Sequence, residues 1–207
     1  MCGQRDLYEF GVLSGRSIHG LCLDLNASHV PFRQFWGFDS FVGLPQEAGR
    51  GRSSVSKRSW QPGSWSAAEI LHQSSYKALQ AQLLGFINDS RVSLIRGFFN
   101  ESLTVELAKS MRPALYVMVD SDLYTSAVQA LSWLCDNELL VKGSLIVYND
   151  WDAGGSSGGE QMAHREIVSR YQMRTTDLGR STTGRLFRVD HAPRVAATLV
   201  LVRQQQT

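Results

Sequence analysis

The chain has 207 residues and a mass of 23.1 kDa, which fits one α/β domain and leaves little for a second. Apolar residues make up 43% of the sequence, enough for a core and too many for a disordered chain. The net charge of +2, from 21 basic and 19 acidic residues, lacks the strong basic excess of a dedicated nucleic-acid binder.

Apolar strand-like runs alternate with helical patterns, which is typical of a parallel sheet covered by helices. The first half of the sequence predicts strand Leu7–Val12, a helix from about Ser17 to Leu25, strand Phe35–Phe38 ending at Asp39, a helix from about Ala67 to Leu84 and strand Arg91–Ile95. Ser66, with Glu69 three residues later, is a capping-box pattern for the second helix. Residues 46–66 have no clear period, and we expect a long loop there.

The second half predicts a helix from about Leu103 to Ser110, strand Leu115–Val119 ending at Asp120, a helix from Thr125 to Asp136, strand Gly143–Tyr148 ending at Asn149-Asp150, and a helix from roughly Gly159 to Tyr171. Two β-rich runs in the tail, Gly184–Val189 and Ala197–Val202, predict a closing antiparallel hairpin, although their assignment to particular strands stays open. We therefore expect one domain over residues 1–207, with a mostly parallel sheet and a C-terminal antiparallel hairpin.

The turn after the first strand carries two glycines before a helix. Gly11 and Gly15 would let the backbone approach a ligand, although a structural turn accounts for such a pattern about as often. The turn lacks the three-glycine dinucleotide fingerprint. Glu9 lies inside the strand, where an unpaired carboxylate is unfavourable. A bound cationic amino group would resolve this, and so would a neighbouring arginine.

Two further features follow the second and third strands. Asp39 ends the second strand, where a carboxylate can accept both hydroxyls of a ribose; an N-cap or turn aspartate is the alternative. Gly97 and Phe98 follow the third strand, and an aromatic ring there could lie against a purine. Because Phe99 is adjacent, the pair is also explained by one core residue and one peripheral contact.

Acidic side chains follow the fourth and fifth strands, in the runs Asp120-Ser121-Asp122 and Asn149-Asp150-Trp151-Asp152. Since neighbouring parallel strands lie about 4.8 Å apart, their end residues can converge on one point. Neither run contains Lys or Arg, so a hard cation such as Mg²⁺, or Mn²⁺, is the expected counter-charge. Loop capping is the alternative: Asp122 would cap the next helix, and Asp152 is expected to be exposed.

Several runs of the sequence resemble the macrocin O-methyltransferase family, whose members are metal-dependent enzymes that methylate sugar hydroxyls on natural products. The runs are YEFGVLSGRS (8–17), FWGFDSFVGLP (35–45), VSLIRGFFNESL (92–103), ALYVMVDSDLYTS (114–126) and GSLIVYND (143–150). They occur in the family's order over about residues 7–170. The resemblance implies a Rossmann-like class I methyltransferase fold and a methyl donor, S-adenosylmethionine.

The resemblance also assigns roles to residues at matching positions. At the donor site, Glu9, Gly11, Gly15 and Ser17 would line the methionine end and Asp39 with Ser40 the ribose. At the metal site, Asp120, Asn149 and Asp150 would be ligands, with Asp122 as the general base. Asn149 departs from the family, which has an aspartate there; an amide oxygen can ligate a metal but brings no charge. Catechol-type O-methyltransferases use an Asp-Asn pair at this place.

The resulting hypothesis is an in-line methyl transfer to a hydroxyl oxygen, assisted by the metal. His164 is a second candidate base, although a lone helix histidine is more often a surface residue. The loop over 46–66 is a candidate lid over the acceptor, in which Trp60 and Trp65 could stack on a ring. Arg50, Arg52, Lys57 and Arg58 make this loop basic, and a solvated mobile loop is the alternative.

Two other functions stay open: a non-catalytic S-adenosylmethionine-binding homologue and an NAD-dependent oxidoreductase. Three separated cysteines (Cys2, Cys22 and Cys135) form no zinc spacing, so we expect reduced thiols in a cytoplasmic protein. Neither a membrane span nor a signal-peptide pattern is present in the sequence. The partner is expected to be a small hydroxylated acceptor, with no nucleic acid and no membrane; a homo-oligomer is allowed. Strand-like sequence soon after Met1 suggests a missing N-terminal extension.

Overall fold

The computed structural model describes residues 5–46, 61–153 and 159–194. Its strands are β1 (Asp6–Phe10), β2 (Phe35–Asp39), β3 (Val92–Arg96), β4 (Ala114–Val119), β5 (Leu145–Tyr148), β6 (Arg174–Ser181) and β7 (Gly184–His191). Its helices are α1 (Arg16–Ala27), α2 (Ala67–Ile70), α3 (Tyr76–Ile87), α4 (Phe99–Ser102), α5 (Val105–Ala108), α6 (Tyr124–Asp136) and α7 (Gly159–Arg170).

The strands form one mixed sheet in the order β3-β2-β1-β4-β5-β7-β6. Strands β1 to β5 are parallel, whereas β7 runs antiparallel to both β5 and β6. The order reverses between β1 and β4, and ligands of open α/β sheets bind beyond the carboxyl ends of the strands at such a point. The predicted Rossmann-like sheet with a C-terminal antiparallel pair is confirmed.

Two hydrophobic clusters cover the two faces of the sheet. On β1, Tyr8 and Phe10 belong to the cluster that includes the buried residues of α6 and α7, whereas Leu7 belongs to the cluster of α1 and α3. This alternation follows from the two-residue period of a strand. Glu9 therefore points to the face covered by α1, and it is fully buried there.

The continuous helix predicted from Ala67 to Leu84 is wrong. Ser66 caps α2 as expected, accepting a hydrogen bond from the Glu69 amide at 3.3 Å, but this helix ends at Ile70. A second helix, α3, begins after Ser75, whose side chain accepts from the Ala78 amide. The helix breaks at His72, whose φ of +53° lies in the left-handed region, and Ser75 then acts as a strong N-cap for the next helix.

The helix predicted from Leu103 to Ser110 is shorter in the structure, where α5 covers Val105–Ala108. A separate short helix that was not predicted, α4, ends at Ser102, just before this segment. Thr104 has an extended backbone, and its side chain accepts from the Leu107 amide at 3.1 Å, so that it caps the start of α5. A threonine N-cap inside a periodic apolar pattern was the signal for this later start.

The C-terminal hairpin consists of β6 and β7 rather than of the two predicted tail runs. Gly184–Val189 lies in β7 as expected, but its partner is the upstream strand β6, and Ala197–Val202 lies outside the described residues. The sequence of β6, RTTDLGRS, carries no apolar alternation because this strand is at the edge of the sheet and largely exposed. Charged and polar residues are common on edge strands, where they oppose pairing with other chains.

The amino end of the sheet is held by a buried carboxylate with a full set of partners. Asp6 on β1 is fully buried. It accepts hydrogen bonds from the Arg33 guanidinium at 2.8 and 2.6 Å, from Trp36 Nε1 at 2.8 Å and from the Arg112 amide at 3.0 Å. These donors offset the unfavourable burial of its charge.

None of the helices in the described segments has the length and apolarity that a membrane crossing requires. Cys22 and Cys135 are buried free thiols, as predicted, and Cys2 lies outside the described residues.

Candidate active site

A cavity of about 710 Å³ opens at the carboxyl ends of β1 to β5, where the strand order reverses. Most of the residues singled out from the sequence line it: Gly11, Asp39, Ser40, Gly97, Phe98, Asp120, Asp122, Asn149 and Asp150. Three others, Glu9, Gly15 and Ser17, are not among its lining residues. The cavity lies where the parallel sheet predicts a ligand site.

The charged side chains that line the cavity in the described structure are all acidic. Its acidic lining residues are Asp39, Glu101, Asp120, Asp122 and Asp150, and no Lys, Arg or His from the described segments lines it. Several carboxylates in one concave site attract cations and disfavour further anions. The arrangement therefore suits a positively charged ligand.

Glu9 is a buried carboxylate behind the cavity. Its Oε1 atom accepts a hydrogen bond from the Ser17 hydroxyl at 2.5 Å, whereas Oε2 has no hydrogen-bond partner within the described structure. Burial raises its pKa well above the usual range, the bond from Ser17 opposes that rise, and the charges of Asp120 and Asp39 add to it. No neighbouring arginine pairs with Glu9 among the described residues, contrary to one of the two explanations open from the sequence.

Asp39 organises the turn after β1. Its Oδ2 atom accepts from the Val12 and Leu13 amides, both at 2.9 Å, and its Oδ1 atom accepts from the Phe41 amide at 2.6 Å. Burial raises the pKa of Asp39 although these three bonds favour the charged form. Asp39 is thus a turn aspartate, as one of the two sequence interpretations expected. It also lines the cavity, so its carboxylate lies beside any ligand bound there.

Contacts within the protein explain why the first turn has glycine at two positions. Gly11 has a φ of +99°, and a Cβ atom there would lie 1.8 Å from the carbonyl oxygen of Asp120. Gly15 has a φ of +72°, and its Cβ would meet the side chain of Ile87 at 3.1 Å. Gly11 therefore lets β1 and β4 approach at the cavity floor, and Gly15 lets α1 approach α3.

After β3, Phe98 and Phe99 have different surroundings. Both line the cavity, but Phe99 also packs edge-to-face on the core residue Phe10, with ring centroids 5.6 Å apart. Phe98 occupies the N-cap position of α4. Phe99 packs against the core cluster, whereas Phe98 is not part of it.

Asp120 and Asn149 meet across the ends of β4 and β5. The Asn149 side-chain amide donates to Asp120 Oδ1 at 3.0 Å, and Asp150 lines the same cavity. Burial raises the pKa of Asp120 to about 6; the bond from Asn149 opposes this rise, while the nearby charges of Asp150 and Asp39 add to it. Within the described segments, no three His, Cys, Asp or Glu side chains form a group that could hold a metal ion.

Asp122 lines the cavity two residues after Asp120 and has a φ of +58°. Aspartate is one of the few residues other than glycine that tolerate this left-handed backbone. The N-cap residue of α6 is Leu123, so Asp122 lies one residue before the cap position. Asp152 is exposed, as expected, and pairs with Arg180.

Sequence reasoning missed Glu160, a further carboxylate beside the ends of β4 and β5. It lies in the first turn of α7, is 1% exposed, and accepts a hydrogen bond from the Asp150 amide at 2.9 Å. Burial raises its pKa well above the usual range, and the charges of Asp150 and Asp120 add to the rise. Its neighbours in sequence, Gly-Gly and a helical pattern, suggested only a helix start, where an acidic residue is ordinary.

His164 is not the surface residue that was expected. It is 7% exposed, and its ring packs against Trp151, Phe187 and Tyr148. Its Nδ1 atom lies 2.9 Å from the Tyr148 hydroxyl, and burial lowers its pKa to about 4. His164 does not line the cavity, so it has no access to a ligand there.

Uncharged polar side chains form part of the wall that the sequence did not predict. Thr125, Ser126 and Gln129 on α6 line the cavity together with Asn100. The three α6 residues are spaced at i, i+1 and i+4, opposite the buried Ala127, Ala130 and Leu131. This polar stripe on an otherwise apolar helix was visible in the sequence and would have indicated them.

The ends of the predicted lid loop over 46–66 meet beside the cavity. The Leu44 amide donates to Ser64 at 2.8 Å, and the Gly63 amide donates to Leu44 at 2.9 Å. Gln46 and Trp65 line the cavity. Residues 47–60, with Arg50, Arg52, Lys57, Arg58 and Trp60, lie outside the described residues.

Several solved structures share this fold. CalS11, a calicheamicin methyltransferase, aligns with a TM-score of 0.64 and 20% identity over 90% of this chain and 72% of that chain. The O-methyltransferase NovP aligns with a TM-score of 0.63 and 19% identity, with the same coverage. An O-methyltransferase from Bacillus cereus, solved with SAH, has a TM-score of 0.53 and 15% identity over 90% of this chain and 74% of that one. No curated protein matches the sequence.

The sequence itself matches the family model for macrocin-O-methyltransferase (TylF) over residues 4–172. This match covers most of the chain, including β1 to β5 and all the cavity residues described above. The protein therefore belongs to the macrocin-O-methyltransferase family and is an O-methyltransferase.

Proposed function

We propose that this enzyme transfers a methyl group from S-adenosylmethionine to a hydroxyl of a sugar or other small natural product, assisted by Mg²⁺. The observation that carries the proposal is the contact of Asp120 with Asn149 across two strand ends, inside an acidic cavity at the switch point of the sheet. Proteins of the same fold support the classes of donor and acceptor: CalS11 is a TDP-rhamnose 3'-O-methyltransferase, and TomG was solved in complex with SAM.

The donor half of the cavity would lie over β1 to β3. The sulfonium of S-adenosylmethionine is cationic, and the acidic lining favours a cation. Asp39 and Ser40 would bind the ribose, and Gly97 with Phe98 would lie against the adenine. The unpartnered Oε2 of Glu9 supports a role near the methionine amino group, with Gly15 and Ser17 shaping the turn that covers it.

The metal half would lie over β4 and β5, where Asp120, Asn149 and Asp150 would hold Mg²⁺. The donors fit this ion because all three side chains offer oxygen, and the two carboxylates have no Lys or Arg counter-charge in the described cavity lining. Asn149 uses its amide nitrogen for Asp120, which leaves its carbonyl oxygen as the ligating atom. When bound, the ion supplies Lewis acidity towards a hydroxyl oxygen.

The chain's own residues would orient and deprotonate the acceptor. Asp122 would take the hydroxyl proton as the oxygen–carbon bond forms and the sulfur–carbon bond of the donor breaks, leaving S-adenosylhomocysteine. Because a carboxylate is a weak base towards an alcohol, Asp122 would need the Lewis acidity of the bound ion to make the hydroxyl acidic enough to deprotonate. The uncharged side chains Thr125, Gln129 and Asn100 would hydrogen-bond the hydroxylated acceptor.

The test is a screen of a metabolite extract with labelled S-adenosylmethionine, run with Mg²⁺ and with EDTA. We expect labelled product that EDTA abolishes and that Asp120→Ala removes. Asp24→Asn, a charge change on the exposed face of α1, is the control and should leave transfer intact. Transfer that resists EDTA would exclude the metal role while leaving the methyltransferase assignment in place.

Two alternatives raised by the sequence are less well supported. An NAD-dependent oxidoreductase disagrees with the family match, and a thermal-shift comparison of S-adenosylhomocysteine with NAD separates the two. A non-catalytic homologue has no physical reason to keep five carboxylates in one cavity, and any turnover excludes it. A cytoplasmic location with no nucleic-acid or membrane partner remains part of the proposal, and a homo-oligomer remains allowed.

A further inference from the structure

Strand β7 lies against the end of β5, just where the proposed metal ligands follow. Gly184, the first residue of β7, has a φ of +148°, and a Cβ atom on it would lie 2.0 Å from the Tyr148 carbonyl oxygen and 3.0 Å from the Asn149 Cα atom. On the other side of β5, the Asn149 amide donates to the Val119 carbonyl of β4 at 3.0 Å. The backbone of Asn149 is therefore held between β4 and Gly184.

A second residue of β7 contacts the loop just after the proposed ligands. The ring of Phe187, a buried residue, packs on the Trp151 ring with centroids 4.8 Å apart. Because Trp151 directly follows Asp150, β7 touches the chain on both sides of Asp150, before it through Gly184 and after it through Phe187. Strand β7 is itself fixed to the sheet, since it pairs with all four residues of β5.

The backbone has most of the control over where the ligand pair points. Asn149 is exposed and Asp150 is half-buried, so packing of their own side chains contributes little to their orientation. The hydrogen bond from the Asn149 amide to Asp120, at 3.0 Å, requires the Asn149 Cα atom to stay where β4 and Gly184 hold it. The contacts of β7 therefore bear directly on the geometry of the proposed metal site.

We propose that Gly184 and Phe187 are positioning residues: strand β7, through its backbone at Gly184 and its ring at Phe187, orients Asn149 and Asp150 for binding the metal ion. This inference rests on the proposed metal-assisted function. Glycine is needed because a Cβ atom at residue 184 would have to push the Tyr148 carbonyl away by about 1 Å to reach even 3.0 Å. Since metal–ligand distances tolerate only about 0.2 Å, a shift of that size takes a ligand out of reach of the ion.

The experiment compares wild type with Gly184→Ala and Gly179→Ala. Gly179 is the matched control: it lies in β6 of the same hairpin, has a φ of +93°, and a Cβ atom there meets no atom of the described structure within 4 Å. Both substitutions therefore strain the backbone, but only Gly184→Ala pushes on the ligand loop. Three quantities are measured: the Mn²⁺ dissociation constant with S-adenosylhomocysteine present, the S-adenosylhomocysteine affinity in EDTA, and the melting temperature.

We expect Gly184→Ala to bind Mn²⁺ about 10- to 100-fold more weakly, the range for residues that orient metal ligands. Its S-adenosylhomocysteine affinity in EDTA should match wild type, because the donor half of the cavity would lie over β1 to β3. Gly179→Ala should have a lower melting temperature with wild-type Mn²⁺ affinity. Wild-type Mn²⁺ affinity in Gly184→Ala would overturn the inference. An equal loss in Gly179→Ala would also overturn it, since strain in the hairpin would then explain the effect.

Phe187→Leu keeps the inference testable if Gly184→Ala fails to fold. Leucine removes the ring that packs on Trp151 and keeps an apolar side chain. Phe32→Leu is its control, because Phe32 is also buried, precedes β2 at the amino end of the sheet and does not line the cavity. We expect Mn²⁺ binding to weaken about 10-fold in Phe187→Leu alone. Equal Mn²⁺ affinity in the two variants would count against positioning by β7.

The outcomes also separate this inference from the proposed function. If wild type binds no Mn²⁺, the proposed metal role is wrong and the inference falls with it. If wild type binds Mn²⁺ and the β7 variants bind it equally well, the metal role stands and only the positioning by β7 is refuted.

Discussion

Replacing Gly11 by alanine tests the closest backbone approach in the cavity. The new Cβ would lie 1.8 Å from the Asp120 carbonyl oxygen, so the ends of β1 and β4 must separate by about 1.2 Å to reach even 3.0 Å. Alanine at a φ of +99° adds about 1–2 kcal/mol of backbone strain, and forcing packed elements apart costs about 1–3 kcal/mol. We expect a loss of about 2–5 kcal/mol in the free energy of unfolding.

The assay is urea unfolding followed by circular dichroism, together with S-adenosylhomocysteine binding by calorimetry. Domains of this size have m-values near the upper end of about 1–3 kcal/mol/M, so the midpoint should fall by roughly 1–2 M. Gly20→Ala is the matched control: Gly20 lies in α1, has no atom within 4 Å of a new Cβ, and should gain about 0.5–1 kcal/mol from the substitution. Binding of S-adenosylhomocysteine should weaken only in Gly11→Ala.

A Gly11→Ala variant within ~0.5 kcal/mol of wild type would refute the reasoning, because that shift is no larger than an ordinary surface substitution produces. It would mean that the strand ends do not meet as described. Loss of ligand binding with full stability would also count against the account, since both effects are attributed to the same displacement of β4.

Two further predictions concern buried titratable groups. The pKa of His164 is about 4 in the fold and about 6.5 when unfolded, so its contribution to stability is complete above pH 6.5 and is lost as the pH falls towards 4. At pH 4.5 the loss should be about 2–3 kcal/mol. Urea unfolding of His164→Gln should show a correspondingly flatter pH dependence between 6.5 and 4.5, and an unchanged slope would contradict the buried neutral ring. Glu9→Gln should raise the melting temperature of the ligand-free protein at pH 8, because the raised pKa of Glu9 means that its charged form opposes folding there. The same substitution should weaken S-adenosylhomocysteine binding. A lower melting temperature would refute this reasoning.

The parallel part of the sheet could be predicted because its strands are continuous apolar runs that end in polar residues. Asp39, Asp120 and Asn149 mark three such ends, and all of them line the cavity. Strand β6 could not be predicted in this way because an edge strand buries little surface and needs no apolar period. The break between α2 and α3 was missed because Ser75 acts as a cap inside a pattern that otherwise continues, and α5 starts later than predicted because its cap, Thr104, lies inside the expected helix.

The residues of the site also differ in how far they could be predicted. Residues at strand ends follow from topology alone. Gln129 in the cavity wall and Glu160 beside Asp150 are carried by helices whose docking depends on tertiary packing. His164 shows the reverse case: an isolated polar residue on a helix was assigned to the surface, but α7 packs it between aromatic rings of β5, β7 and the loop after β5. Spacing along one helix cannot reveal which neighbour covers it.

Strand β1 carries a buried carboxylate near each end, and the two differ in their hydrogen-bond partners. Asp6 is saturated by donors from the protein, whereas Glu9, three residues later, keeps one oxygen without a donor in the described structure. Asp6 thus has all its hydrogen-bond donors within the protein, whereas Glu9 lacks a donor that a bound cationic ligand would supply. In the ligand-free enzyme, protection from hydrogen exchange should decline along this one strand, and a bound donor should level that gradient.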